Sequence, residues 1–123
     1  MLKLEQISFS YGEVKTLNEV SMIAEPKRVT CVMGRNGVGK TTLMKNIMGI
    51  LHFHSGRMFL DGQDASALPA NLRAKAGVAL VPQGRHIFPK LSVEENLRVA
   101  LEARTDGRSS RHAPRCARHV LPN

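Results

Sequence analysis

The stretch "GRNGVGKTTLMKNIMG", residues 34–49, constrains this chain more than any other. Gly34 is followed by four residues, then by Gly39, Lys40 and Thr41, so the spacing G-x-x-x-x-G-K-[ST] is complete. The pattern has a physical reading. Backbone amides that wrap a polyphosphate must approach it closely, and side chains at the contact points would stand in the way; Gly34, Gly37 and Gly39 remove them. A loop that opens straight into a helix also presents free N–H groups and the positive end of a helix dipole. Lys40 would reach the outer phosphates, and the Thr41 hydroxyl would meet Mg²⁺. The surroundings fit. Residues 29–33, "VTCVM", read as a short, buried apolar strand before the loop. After it, Leu43, Met44, Ile47, Met48, Ile50 and Leu51 share one broad helical face. A glycine-rich turn that binds nothing leaves this complete, correctly flanked motif unexplained.

The remaining elements follow from period and punctuation. Residues 2–9, "LKLEQISF", alternate as a strand, and "SYG" turns the chain. "TLNEVSMIA" is a second strand with partial alternation. "RMFL" and "DG" read as strand and hairpin turn, which makes Asp61 a turn residue. "LPANLRAKAG" predicts a short helix with Pro69 near its start, and residues 78–81, "VALV", predict another buried strand. Ser92 with Glu95 three residues on forms a capping box that starts a further helix. His52 and His54 read as solvated turn residues, and Cys31 as a small core residue.

Composition enters through charge. The net charge is +8, which raises nucleic acid as a partner. The charge is uneven. Beyond position 103, Arg104, Arg108, Arg111, Arg115 and Arg118 stand against the single acid Asp106, so this tail carries +4 and residues 1–103 the other +4. No aromatic–basic interleaving accompanies it, so the expectation is no nucleic acid partner. No apolar run reaches the roughly 18 residues that would cross a bilayer. The alternating N-terminus does not resemble a secretion signal, and Cys31 and Cys116 have no metal-ligand spacing, so a reduced cytosolic setting is expected.

Several stretches together resemble the ATP-binding subunit of an ABC transporter, over residues 1 to about 103. "FSYG" resembles the segment whose aromatic residue stacks on adenine, which implies that role for Tyr11. "VALVPQ" resembles the segment ending in the Q-loop glutamine, which implies that Gln83 contacts Mg²⁺ or its water and relays nucleotide state to a membrane subunit. "GRNGVGKTTLMKNIMG" with "VPQGRHIFPKLSVEENL" is similar to importers of urea or branched-chain amino acids, and closest to the urea subunits; Val38 and Gln83 mark that difference. The resemblance implies an α/β fold, a P-loop NTPase (RecA-like) core with an N-terminal antiparallel β subdomain. It implies ATP and Mg²⁺ as cofactors. Tyr11, Gly34, Asn36, Gly37, Gly39, Lys40, Thr41 and Thr42 would hold nucleotide, Lys40 and Gln83 would serve catalysis, and Thr41 and Gln83 the metal. Permease subunits and a second ATP-binding subunit are the implied partners, with the chain peripheral to the inner face of a membrane.

The sequence also departs from the family. An LSGGQ-type signature and an apolar strand ending in Asp-Glu are expected after the Q-loop, and a histidine later; none is present, and His112 and His119 follow no apolar strand. The fold is therefore expected to be truncated before the signature and the Walker B strand. Residues 104–123, rich in Arg, Ser, His and Pro, read as a disordered basic tail, either out of frame or a genuine short terminus. Expected behaviour is weak or no ATP binding and no hydrolysis. A non-hydrolysing nucleotide-binding module is the alternative to a transport ATPase subunit.

Overall fold

The computed structural model describes residues 1–84 and 87–101. The tail expected from residue 104 onward, with Cys116, His112 and His119, lies outside the described residues. The chain divides into two compact units, Met1–Leu80 and Val81–Asn123.

The first unit is built on an antiparallel sheet. Strands β1 (Leu2–Tyr11), β2 (Val14–Ala24), β3 (Ser55–Leu60) and β4 (Gln63–Asp64) lie in the order β2-β1-β3-β4. The alternation in β1 changes phase: Leu4, Ile7 and Phe9 are the buried residues. A bulge makes this possible. Leu4 pairs with Met22 and Ile7 with Val20, so β1 carries one extra residue, and Gln6 takes a positive φ of 50°. Its N–H cannot join the ladder and donates to Ser21 Oγ at 2.9 Å. β2 repeats the device, with Glu19 at φ 49° and its N–H donating to Ser8 Oγ at 3.0 Å. Each displaced amide is thus taken by a serine of the facing strand, as a polar backbone requires. β3 must pass close to the first bulge. A Cβ on Gly56 would stand 2.6 Å from the Glu5 and Gln6 carbonyl oxygens, so only glycine clears it.

Helix α1 (Lys40–Met48) lies over this sheet and buries Leu43 and Ile47, one turn apart, in a core with Leu4, Ile7, Phe9, Leu17 and Met58. It ends at Gly49, left-handed at φ 81°, whose N–H caps the last carbonyls. Helix α2 (Ala70–Lys75) starts after Pro69, as the sequence predicts. The Asp61-Gly62 turn joins β3 to β4, and Asp61 forms an ion pair with the N-terminal ammonium. In the second unit, helix α3 (Val93–Leu101) begins with the predicted capping box: Ser92 N–H donates to Glu95 Oε2 at 2.7 Å, and Glu95 N–H to Ser92 Oγ at 3.2 Å.

Two predicted strands are not formed. Residues 29–33 and 78–81 join no ladder. Val29 is 93% exposed, Met33 89% and Val81 94%, and Cys31 is exposed and not a core residue. Their apolar, partly β-branched sequence suits a central parallel strand. Such a strand is buried only when neighbours flank it on both sides, and the described sheet is antiparallel throughout. An open trough of about 640 Å³, bordered by Met22, Val32, Met44, Leu60 and Val78, is left within the first unit.

Candidate phosphate-binding site

The motif residues form a loop that runs into α1. Gly34, Asn36 and Gly37 are exposed, Gly39 is the helix N-cap, Lys40 is half-buried at the first helical position, and Thr41 is exposed. Thr42 is buried at 8% exposure. Gly39 sits at φ 102°, a left-handed conformation, and a Cβ there would meet Thr16 O at 3.0 Å and Leu17 Cδ2 at 3.1 Å. Glycine is therefore demanded twice over, by backbone conformation and by the close passage of β2.

Lys40 closes the loop on itself. Its Nζ donates to the carbonyls of Gly34 and Arg35, both at 2.6 Å. The ammonium is thereby held over the loop and not extended into solvent. The helix start behind it has no side-chain cap and no acid in its first turn. Its leading N–H groups thus have no internal partner, and the positive dipole end is uncompensated. The wider charge agrees. Between Glu25 and Asp61 the chain has no acid at all, while Lys27, Arg28, Arg35, Lys40, Lys45 and Arg57 are cationic. An anion with several oxygens suits this loop: amides, a helix terminus and one centred ammonium converge on it.

The other end of α1 is held by a residue the sequence reading passed over. Arg73 of α2 is fully buried. Its Nη1 donates to Asn46 O at 2.6 Å and Ile47 O at 3.0 Å, its Nη2 to Ser66 O at 2.9 Å, and its Nε to Leu68 O at 2.8 Å. The guanidinium fork matches several carbonyls at once, which a lysine could not do. Burial pushes its pKa below the usual arginine value. The cation also stands where the helix dipole is negative. No sequence signal separates this arginine from an ordinary surface residue of a short helix. Asn46, equally buried, donates from Nδ2 to Thr42 O at 2.9 Å.

Tyr11 ends β1, 49% exposed, opposite Val14 and close in the ladder to Thr16, whose carbonyl lies where it would crowd a Cβ on Gly39. The register therefore brings the tyrosine and the phosphate loop to the same end of the sheet. His54 is exposed in a bend, as expected of a solvated turn residue, but it is not isolated. Its ring stacks on Phe9, with centroids 5.3 Å apart and planes 3° apart. Gln83 lies in the second unit, in a bend, exposed. Asn96 organises the "FPKLSVEENL" segment: its Nδ2 donates to the carbonyls of Phe88, Leu91 and Ser92 at 2.9–3.1 Å, and Phe88 N–H donates to its Oδ1 at 2.8 Å. No helix among the described residues is long and apolar enough to cross a membrane.

Residues 17–121 match the family described as ABC transporter. The chain belongs to the ABC transporter family. Among its relatives is the probable branched-chain amino acid transport ATP-binding protein LivF of Archaeoglobus fulgidus, 40% identical over 81% of this chain and 42% of that protein. Another is the lipopolysaccharide export system ATP-binding protein LptB of Haemophilus influenzae, 36% identical over 86% of this chain and 44% of that protein. The chain thus spans less than half the length of these curated relatives. Among solved structures, the dimeric bacterial ABC transporter cassette MJ0796 superposes with a TM-score of 0.78 over 91% of this chain and 51% of that one, at 24% identity. That likeness establishes the ABC cassette fold, and the antiparallel sheet with α1 is the part of it described above.

Proposed function

We propose that this chain is the nucleotide-binding portion of an ABC transporter ATPase subunit, and that it holds Mg-ATP through residues 34–42. One observation carries the reading: Lys40 is seated over a glycine loop that opens into an uncapped helix start, within a stretch of sequence that holds cations and no acid. In this reading Gly34, Asn36, Gly37, Gly39, Lys40, Thr41 and Thr42 bind the phosphates and Tyr11 stacks on the base. Mg²⁺ would be held by the Thr41 hydroxyl, and would draw the outer phosphates' charge toward the loop. Lys40 neutralises developing charge on the transferred phosphoryl group. Hydrolysis needs a placed water and a partner's signature segment, which these 123 residues do not contain. The seated Lys40 favours nucleotide binding by this chain over the weak or absent binding expected from the truncated sequence, while turnover is still not expected. A second ATP-binding subunit and membrane-spanning permease subunits complete the assembly, with this chain on the cytoplasmic face.

The transported substrate in this reading is urea, on the wording of "VPQGRHIFPKLSVEENL" and the identities of Val38 and Gln83. Branched-chain amino acids are the second reading, favoured by the name of the Archaeoglobus relative. Calorimetric titration of the chain with Mg-ATP tests the binding role: heat that disappears in Lys40→Ala supports it, and identical titrations refute it. Deleting the gene and following uptake of labelled urea and leucine separates the two substrates.

A further inference from the structure

Three aromatic rings line up at the end of β1 that leads into the turn before β2. Phe9 and Tyr11 lie two residues apart on β1 and so on one face, with ring centroids 4.9 Å apart and planes at 87°, an edge-to-face contact. Phe9 is buried; Tyr11 is half in solvent. On Phe9 lies the ring of His54, parallel within 3°. His54 is itself fixed to β1 on either side of Phe9. Its backbone N–H donates to Ser8 O at 2.9 Å, and its Nε2–H donates to Ser10 O at 3.1 Å. The order is thus His54, Phe9, Tyr11, with the last ring at the end of the strand where a two-residue turn follows.

We propose that His54 is a positioning residue for nucleotide binding: it braces Phe9, and through it holds the Tyr11 ring in the pose that stacks on the base. The proposal rests on the reading that Tyr11 stacks on adenine. The physical need is clear. A tyrosine at the tip of a hairpin would lose rotamer freedom on binding a base, and that cost is subtracted from affinity. A ring already held by an edge contact has lost part of that freedom beforehand. Phe9 can supply a firm edge only if its own plane is fixed. Core packing holds Phe9 on one side and the exposed imidazole covers its ring by stacking, while one hydrogen bond from the ring and one from the His54 backbone tie it to the same strand.

The chain supplies its own reporter. Tyr11 is the single tyrosine and there is no tryptophan, so intrinsic emission reads this one ring. The experiment titrates the 123-residue chain with Mg-ATP while following Tyr11 emission, and with sodium tripolyphosphate by calorimetry. In His54→Ala, quenching should need about threefold to tenfold more ATP, the range an aromatic contact contributes, with tripolyphosphate affinity unchanged. His54→Phe keeps the stacked ring and should restore the wild-type ATP response. Equal ATP response in wild type and His54→Ala overturns the proposal. So does parallel weakening toward tripolyphosphate, which marks a general loss of fold, and so does failure of His54→Phe to rescue. Tyr11→Ala, read by calorimetry, separates this from the reading beneath it. If that variant loses its preference for ATP over tripolyphosphate while His54→Ala does not, only the His54 role fails. If Tyr11→Ala keeps the preference, or if the wild type responds to neither ligand, base stacking fails and the His54 role with it.

Discussion

At the scale of single residues, Lys40 and Arg73 hold opposite ends of one helix by the same chemistry. Each is a cation donating to backbone carbonyls, Lys40 to Gly34 and Arg35, and Arg73 to Asn46, Ile47, Ser66 and Leu68. Their consequences differ. Lys40 is half-buried at the first position of α1, so Lys40→Ala should cost little stability but weaken Mg-ATP binding by at least about tenfold, enough to remove the calorimetric signal, through the loss of one charge-assisted contact to phosphate. Arg73→Met removes a charge at a desolvation gain but leaves several carbonyls facing an apolar side chain. Each unsatisfied acceptor costs about 1–3 kcal/mol, so a net loss of about 3 kcal/mol in urea unfolding is expected. A loss under about 1 kcal/mol would mean the carbonyls find other partners. The glycine motif and Lys40 were legible because a phosphate loop imposes spacing on the sequence. Arg73 and His54 were not, because what makes them important is tertiary. One is an ordinary arginine until α2 folds under α1. The other is an ordinary histidine until its ring meets Phe9.

At the scale of elements, period and punctuation predicted what local chemistry controls. The β3–β4 hairpin, α1, the proline-led α2 and the capped α3 all stand near their expected limits. The bulge in β1 does not follow from the plain alternation read over residues 2–9, although apolar residues at 2, 4, 7 and 9 slip by one between Leu4 and Ile7. Residues 29–33 and 78–81 show the opposite case, because a parallel strand exists only in company and its sequence says nothing of whether the company is there. The α3 cap makes a pH prediction. The carboxylate of Glu95 is held below the usual glutamate range, first by the N–H of Ser92 and then by its hydroxyl. A depressed folded pKa means the unfolded chain binds protons first as pH falls. The contribution is therefore complete above the ordinary glutamate range and is lost as pH drops through the lowered value. Helical circular dichroism assigned to α3 should fade over that acid interval, and Glu95→Gln should show no such interval. Persistence of the acid transition in the variant would place its origin elsewhere.

At the scale of the whole molecule, exposed apolar surface should dominate behaviour. Val29, Met33 and Val81 stand almost fully exposed, and a trough of about 640 Å³ opens beside Met22, Met44 and Leu60. Apolar, β-branched segments without a ladder are templates for association. The chain should self-associate with rising concentration in analytical ultracentrifugation, and the uncharged pair Val29→Asn with Met33→Gln should reduce that association without changing tripolyphosphate binding. A sharp monomer at high concentration would count against this view.

The central claim is that residues 34–42 hold nucleotide phosphates through Lys40, without turnover by this chain. Its most direct test is calorimetric titration of wild-type and Lys40→Ala protein with Mg-ATP, alongside an assay for released phosphate. The account predicts binding in wild type, its loss in Lys40→Ala, and no phosphate release from either. Equal heats in the two proteins, or phosphate released in proportion to wild-type enzyme, would contradict it.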